Sequence, residues 1–253
     1  YDAHQNSCDV YFYDIAKRIG IDRIAAMATR FGLGTKTGIE LPSEKGGVIP
    51  TRAWKKALIG TAWQQGETLI SGIGQGFILT TPLQLAVIAN GGKAVLPRLI
   101  RAAEVDGKEE EPVFKDLGIS KRSLDVVREG MLRVTNVQQG TAYRARISEE
   151  GMEMSGKTGT AQVRRISKAE RDTWVLKNHE RPWRERDHAL FVGYAPSDNP
   201  RYAVSVIVEH GGGGSKVAAP IARDLLLATQ RRDPANRTLA PAAAKAPAKS
   251  EEI

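Results

Sequence analysis

Met154-Ser155-Gly156-Lys157-Thr158-Gly159-Thr160-Ala161-Gln162 follows a helical stretch and runs into β-prone residues, so it reads as a strand. Lys157 sets a cation beside the hydroxyls of Thr158 and Thr160. Gly159 between them leaves room for another backbone to come close. An edge strand of this composition takes up an extended peptide by main-chain hydrogen bonds, and its ammonium and hydroxyl groups hold a carboxylate. Lys-Thr-Gly alone is a weak signal, because Lys36-Thr37-Gly38 repeats it. Either copy alone could be a polar turn; the earlier one lies among Gly32, Gly34 and Pro42 and reads as a loop, whereas the later one continues into Thr-Ala-Gln-Val.

Downstream of that strand, residues 164–188 form a long polar connection with Trp174 and Trp183, a length more often functional or mobile than inert. The apolar runs 189–194 and 202–208, separated by the Pro196–Pro200 turn, predict a hairpin. The Gly211–Gly214 run leads into a last helix over 217–230, and from Asp233 the Ala/Pro/Lys-rich chain predicts a disordered tail. Upstream, residues 8–31 carry an apolar stripe at helical period, broken at Gly20 and ended by Gly32 and Gly34. Residues 38–50 read as loop with short strands, and Thr51 caps a short helix through Ile59. Ser71-Gly72-Ile73-Gly74-Gln75-Gly76 lacks the Lys-Ser/Thr of a phosphate loop and reads as a structural turn. Thr80-Thr81-Pro82 starts a helix that continues from Leu83 to Ala89 and stops at Gly91-Gly92. A strand over 94–105 with a turn at Asp106-Gly107 follows. Ser120 opens a helix with Leu124, Val127, Met131 and Val134 on one face. Helices come first and strands gather late, which predicts an α/β protein of the α+β type, an antiparallel sheet flanked by helices. The expected domains are residues 1–232 and the tail 233–253.

The chain has 253 residues, 41% hydrophobic and 26% charged, ample for one sizeable core. Its net charge of +8 permits anionic partners. No Lys/Arg run is interleaved with aromatics and no zinc-finger or RNA-module signature appears, so nucleic acid is not expected as a partner. One cysteine, Cys8, excludes an intrachain disulfide. No stretch reaches the roughly 20 apolar residues of a membrane span. The chain opens on Tyr1-Asp2, and a piece of a longer protein is expected.

Ser155-Gly-Lys-Thr-Gly-Thr-Ala, Ser7-Cys8-Asp9, Gly72-Ile73-Gly74-Gln75-Gly76 with Thr81-Pro82-Leu83-Gln84-Leu85-Ala86, and His188-Ala-Leu-Phe-Val-Gly-Tyr-Ala-Pro196 occur in one chain. Together they resemble the transpeptidase domain of the class B penicillin-binding proteins over roughly residues 1–230. Ser7-Cys8-Asp9 and the stretch from Glu209 to Ile221 are most similar to the elongation-type group, penicillin-binding protein 2, with the division type as the near alternative.

That resemblance implies the penicilloyl-serine-transferase fold, incomplete in this chain, and a serine-type peptidoglycan D,D-transpeptidase that cross-links D-Ala–D-Ala stem peptides in cell-wall elongation. It implies acylation by β-lactams, no cofactor, and no metal. The implied partners are stem peptides, a SEDS-type membrane glycosyltransferase and rod-shape scaffold proteins. The implied location is the periplasmic side of the bacterial inner membrane. By the same resemblance Ser7 passes protons toward the leaving amine, with Asp9 beside it. Lys157 supplies positive potential, Thr158, Gly159 and Thr160 bind the substrate, and the Thr160 N–H is an oxyanion donor worth about 3–4 kcal/mol in comparable enzymes.

Two departures stand out. No serine here is followed three residues on by lysine, so the Ser-x-x-Lys nucleophile and base are expected upstream; a natural pseudo-enzyme that grips cell-wall peptide is the other account. Asp9 stands where most of the superfamily has Asn and cannot donate a hydrogen bond unless protonated. A β-lactamase or β-lactam sensor on the same fold is a further alternative. Plainer readings remain beside these. Ser7 and Asp9 are also good helix caps, and Cys8 is either a buried small hydrophobe or, with His4, half of a metal site whose other ligands would lie in the expected upstream segment. His188 and His210 are expected at strand ends flanking the cleft.

Overall fold

The computed structural model describes residues 1–88, 93–99, 115–164 and 166–234. The first half is helical: α1 (Asp2–Gln5), α2 (Asp9–Ile19), α3 (Ile21–Arg30), α4 (Arg52–Ile59), α5 (Gln65–Ser71) and α6 (Pro82–Ile88). A two-residue ladder follows, β1 (Lys93–Ala94) with β2 (Lys115–Asp116), and then α7 (Lys121–Asn136). The main sheet is β3 (Ser155–Ala161), β4 (His188–Ala195) and β5 (Tyr202–Val208), with the short α8 (Lys168–Asp172) between β3 and β4 and α9 (Ala218–Arg232) closing the fold.

Gly20 divides α2 from α3 because it holds φ +79°, a conformation that L side chains rarely adopt. The Thr51 hydroxyl accepts the Trp54 N–H at 3.0 Å, and the Ser120 hydroxyl accepts the Ser123 N–H at 3.2 Å, so both predicted caps form. Thr81 and Gln84 bond reciprocally, at 2.9 and 3.2 Å, at the start of α6.

Helix α5 was not predicted from its sequence, since Gly66 and polar residues hide the pattern. It is fixed by tertiary contacts. A methyl on Gly72 would stand 2.4 Å from Ala16 Cβ, so only glycine lets the end of α5 pack on α2. The buried Lys55 ammonium donates to the Glu67 carboxylate and, at 2.9 Å, to Ala62 O, tying α4 to α5.

The strand expected over 94–105 is shorter: among the described residues only Lys93–Ala94 is strand there, and residues 95–99 are not. Residues 100–105, the Asp106-Gly107 turn, Ala89, the Gly91-Gly92 stop and the tail from residue 235 lie outside the described residues. In 38–50 the expected short strands reduce to a single bridge, Val48 to Leu79.

The sheet is antiparallel in the order β3-β4-β5, with Lys157 opposite Val192 and Phe191 opposite Thr158 and Val206. Its core is Val134 of α7, Met154, Phe191, Val206 and the α9 residues Ala218, Ala222 and Leu226. Small alanines on α9 bring that helix close to the strands. Gly156 and Gly193 are ladder partners, and the Phe191 ring lies across both. A methyl on Gly156 would be 2.3 Å from Phe191 Cζ, and one on Gly193 2.8 Å from Phe191 Cε1. The result is the expected antiparallel sheet covered by helices, with β3 at one edge.

Candidate active site

Thr135 and Asn136, at the end of α7, set the start of β3. The buried Thr135 hydroxyl donates to Met154 O at 2.6 Å and Asn136 Nδ2 to the same oxygen at 2.9 Å. Strand β3 is therefore held from one side by β4 and from below by α7, and its other edge borders a cleft of about 1010 Å³. Ser7, Asp9, Gln75, Thr141, Lys157, Thr158, Gly159 and Thr160 all line that cleft. The predicted site residues are thus brought together, with the exception of Cys8, which is exposed and not among the cleft residues.

Ser7 sits at φ +51°, left-handed backbone for a non-glycine residue. Its N–H donates to His4 O at 3.2 Å, which closes a turn between α1 and α2. The turn aims its hydroxyl at Lys157, whose Nζ donates to Ser7 Oγ and, at 3.0 Å, to Thr158 O. The plain capping role is excluded for Ser7: the N-cap of α2 is Cys8, and no side chain caps it. Asp9 is the first residue of α2, where a carboxylate also suits the helix dipole. Burial lowers the Lys157 ammonium from the usual lysine range to about 8, against the Asp9 carboxylate, which raises it. Burial, and then the Lys157 charge, push the His4 imidazole down to about 4. His4 is consequently neutral near pH 7 and adds no second cation beside Lys157.

Cys8 as a buried hydrophobe is corrected by its exposure: the turn that directs Ser7 inward turns the next side chain outward. Among the described residues no group of three or more His, Cys, Asp or Glu is arranged to hold a metal. The earlier Lys36-Thr37-Gly38 lies in irregular loop, as expected. Glu44 accepts from the Thr37 N–H and hydroxyl, each at 2.6 Å, and from the Gly38 N–H at 3.3 Å.

Several cleft residues were not singled out by sequence. Thr141 follows Gly140, whose missing side chain lets the chain fold back onto Val134 O, and its hydroxyl meets that of Thr158 at 3.0 Å. Gln75, within the glycine turn, donates from Nε2 to Thr160 O at 2.7 Å. Arg164 reaches the Glu170 carboxylate at 2.7 Å and Glu185 at 3.7 Å, pinning the 166–187 connection beside the cleft. Gly214 packs on the backbone of β3 and β4, since a methyl there would lie 2.3 Å from Gly159 O and from Leu190 O. Gly140-Thr141 is the available signal for Thr141; Gln75 and Gly214 lie in the glycine runs 72–76 and 211–214, but nothing local gives their partners on β3.

His188 opens β4, and its Nδ1 accepts the His210 N–H at 2.8 Å while His210 Nδ1 meets Arg186 O at 2.9 Å. These rings brace the end of the sheet and do not reach Lys157.

The arrangement offers a half-buried cation with a serine hydroxyl on it, two threonine hydroxyls, and an edge strand whose Thr160 backbone faces the opening. In an antiparallel ladder a residue's N–H and C=O lie on one side, so Thr160 presents both to the cleft. This suits binding of an extended peptide ending in a carboxylate, and stabilisation of an oxyanion at the Thr160 N–H.

Residues 1–227 match the family described as "Penicillin binding protein transpeptidase domain". The peptidoglycan D,D-transpeptidase MrdA of Haemophilus influenzae is 39% identical over 229 residues, covering 87% of this chain and 34% of that protein. The chain thus spans about a third of the length of the curated relatives it matches. A solved structure of penicillin-binding protein 2 from Helicobacter pylori, in complex with MreC, superposes at TM-score 0.77 with 32% identity, over 92% of this chain and 40% of that one. Penicillin-binding protein 2 of Pseudomonas aeruginosa, in complex with WCK 5153, superposes at 0.70 with 35% identity, over 96% and 51%.

Proposed function

The chain belongs to the penicillin-binding protein transpeptidase family, and on that premise we propose that it forms the substrate-binding side of a serine-type peptidoglycan D,D-transpeptidase of the elongation type. The observation that carries the reading is the contact of Lys157 Nζ with Ser7 Oγ at the mouth of an edge strand bearing Thr158 and Thr160. It joins parts of the chain 150 residues apart into one charged, hydroxyl-lined site.

The nucleophilic serine and its lysine base belong to a segment preceding residue 1. The stem peptide lies along β3 with its terminal carboxylate on Lys157, Thr158 and Thr141. The Thr160 N–H receives the developing oxyanion. The charge on Lys157 keeps the neighbouring base lysine neutral, and Ser7 hands a proton from that base to the departing D-alanine amine. The acyl group then passes to an amine of a second strand. β-Lactams enter as mimics of the D-Ala–D-Ala end and remain attached. The elongation role is supported by the relatives named MrdA and penicillin-binding protein 2. A scaffold partner is supported by the Helicobacter protein, whose structure is of a complex with MreC. A SEDS-type glycosyltransferase partner and the periplasmic face of the inner membrane complete the proposal.

Intact mass spectrometry of the longer protein after incubation with benzylpenicillin tests it. One stable drug adduct is expected. Folded protein with no adduct would overturn the reading, and drug hydrolysis in the same tube would identify a lactamase instead of a pseudo-enzyme.

A further inference from the structure

We propose that Gln75 sets the cleft's affinity for ligands that bring an amide N–H to β3, by holding the Thr160 carbonyl until such a ligand displaces it. The inference rests on the transpeptidase reading of the same cleft. An edge strand binds an added peptide through its outward N–H and C=O groups. In this structure one of those acceptors is already taken: Gln75 Nε2 donates to Thr160 O at 2.7 Å, across 85 residues of sequence.

The turn that carries Gln75 is built for this reach. Gly74 and Gly76 on either side both hold left-handed backbone, at φ +76° and +79°. The Gln75 N–H is bonded to Ile70 O at 2.9 Å and the Gly74 N–H to Ser71 O at 3.0 Å, so the backbone is clamped to the end of α5. A methyl on Gly76 would stand 2.9 Å from Ile70 Cδ1, which keeps the turn tight. What remains able to move is the Gln75 side chain, whose rotation exposes or covers the Thr160 carbonyl while leaving the Thr160 N–H open.

Binding is then an exchange. A ligand N–H replaces the Gln75 N–H on one carbonyl, and the freed Gln75 amide turns to water. The net cost to such a ligand is that of one neutral hydrogen bond. A ligand with no N–H at that position gains nothing from displacing Gln75.

The test is acylation kinetics of the longer protein, in the wild type and as Gln75→Met and Gln75→Ala, separating the dissociation constant of the non-covalent complex from the acylation rate constant. Gln75→Met keeps length without a donor, and Gln75→Ala removes both. Benzylpenicillin carries an acylamino N–H, and penicillanic acid lacks that side chain. Both variants are expected to tighten benzylpenicillin about fivefold, the scale of one hydrogen bond. The acylation rate constant and the penicillanic acid values stay unchanged. An unaltered benzylpenicillin constant would overturn the inference. So would a slower acylation step, which would mean that Gln75 holds Thr160 in its working position. Equal tightening of both ligands would make the effect steric and overturn it as well. A wild-type protein that is never acylated would sink the transpeptidase reading itself, and is told apart by the absence of any adduct.

Discussion

A lysine in a half-buried cleft serves a carboxylate only while it is charged, and Lys157 loses its proton near pH 8 because burial disfavours the ammonium. It is charged below that pH and neutral above it. Non-covalent affinity for a carboxylate-bearing β-lactam is therefore expected to fall as pH rises through about 8, well below where an ordinary lysine titrates. His4, already neutral above about 4, does not contribute to that limb. Measuring the dissociation constant from pH 6 to 10 in the wild type and in Lys157→Met checks this: the variant should bind weakly with no fall at 8. A fall that persists in Lys157→Met would assign the titration to another group. Thr158 offers a second residue-level test. Its hydroxyl lies 3.0 Å from that of Thr141, so in the proposed substrate pose one would orient the other toward the carboxylate. Thr158→Val removes a hydrogen bond to a charged group, worth about 1.5–3 kcal/mol, and should weaken binding roughly 10- to 100-fold. Thr158→Ser should restore most of it, and equal losses in Val and Ser would refute the hydroxyl role.

At the level of elements, the sheet that presents Lys157 depends on the paired glycines 156 and 193 beneath the Phe191 ring. A methyl at Gly156 meets both that ring and Val192 O, at 2.3 and 2.7 Å, and backbone on the next strand has no room to yield. Gly156→Ala is expected to cost about 1–3 kcal/mol by overpacking. That corresponds to a fall in melting temperature of roughly 2–4 °C per kcal/mol for a domain of this size. Thermal unfolding of Gly156→Ala, alone and with Phe191→Leu, distinguishes the cause, since the smaller side chain should recover part of the loss. The hairpin, the caps at Thr51 and Ser120 and the break at Gly20 were legible in sequence because each depends on local rules: alternation, a hydroxyl acceptor, a positive φ. Helix α5 was not legible, because it is held by Gly72 against Ala16 and by Lys55 on Glu67, contacts that no local window contains. Ser7-Cys8-Asp9 and Lys157 were legible through motif and order, whereas Gln75 reached the site through a side-chain bond spanning 85 residues.

Across the whole molecule, the cleft joins two walls of different make. The helical wall brings Ser7, Asp9 and Gln75, and the sheet wall brings Lys157, Thr158 and Thr160. Among the described residues, side-chain hydrogen bonds cross between them at the cleft from Lys157 to Ser7 and from Gln75 to Thr160. A ligand seated on β3 with its reacting carbonyl near Ser7 touches both walls and adds to those bonds. Anything that binds the folded state and not the unfolded chain raises apparent stability. Acylation of the longer protein by benzylpenicillin is therefore expected to raise its melting temperature by several degrees, on the scale of one or two added hydrogen bonds. The same drug on Lys157→Met, driven to full acylation at high concentration, should give a smaller rise, because the carboxylate then has no cation on the sheet wall. Calorimetry on samples whose acylation has been verified by mass separates this from incomplete labelling. Equal rises in both proteins would show that the ligand leans on the helical wall alone and that Lys157 acts before acylation, in capture of the carboxylate.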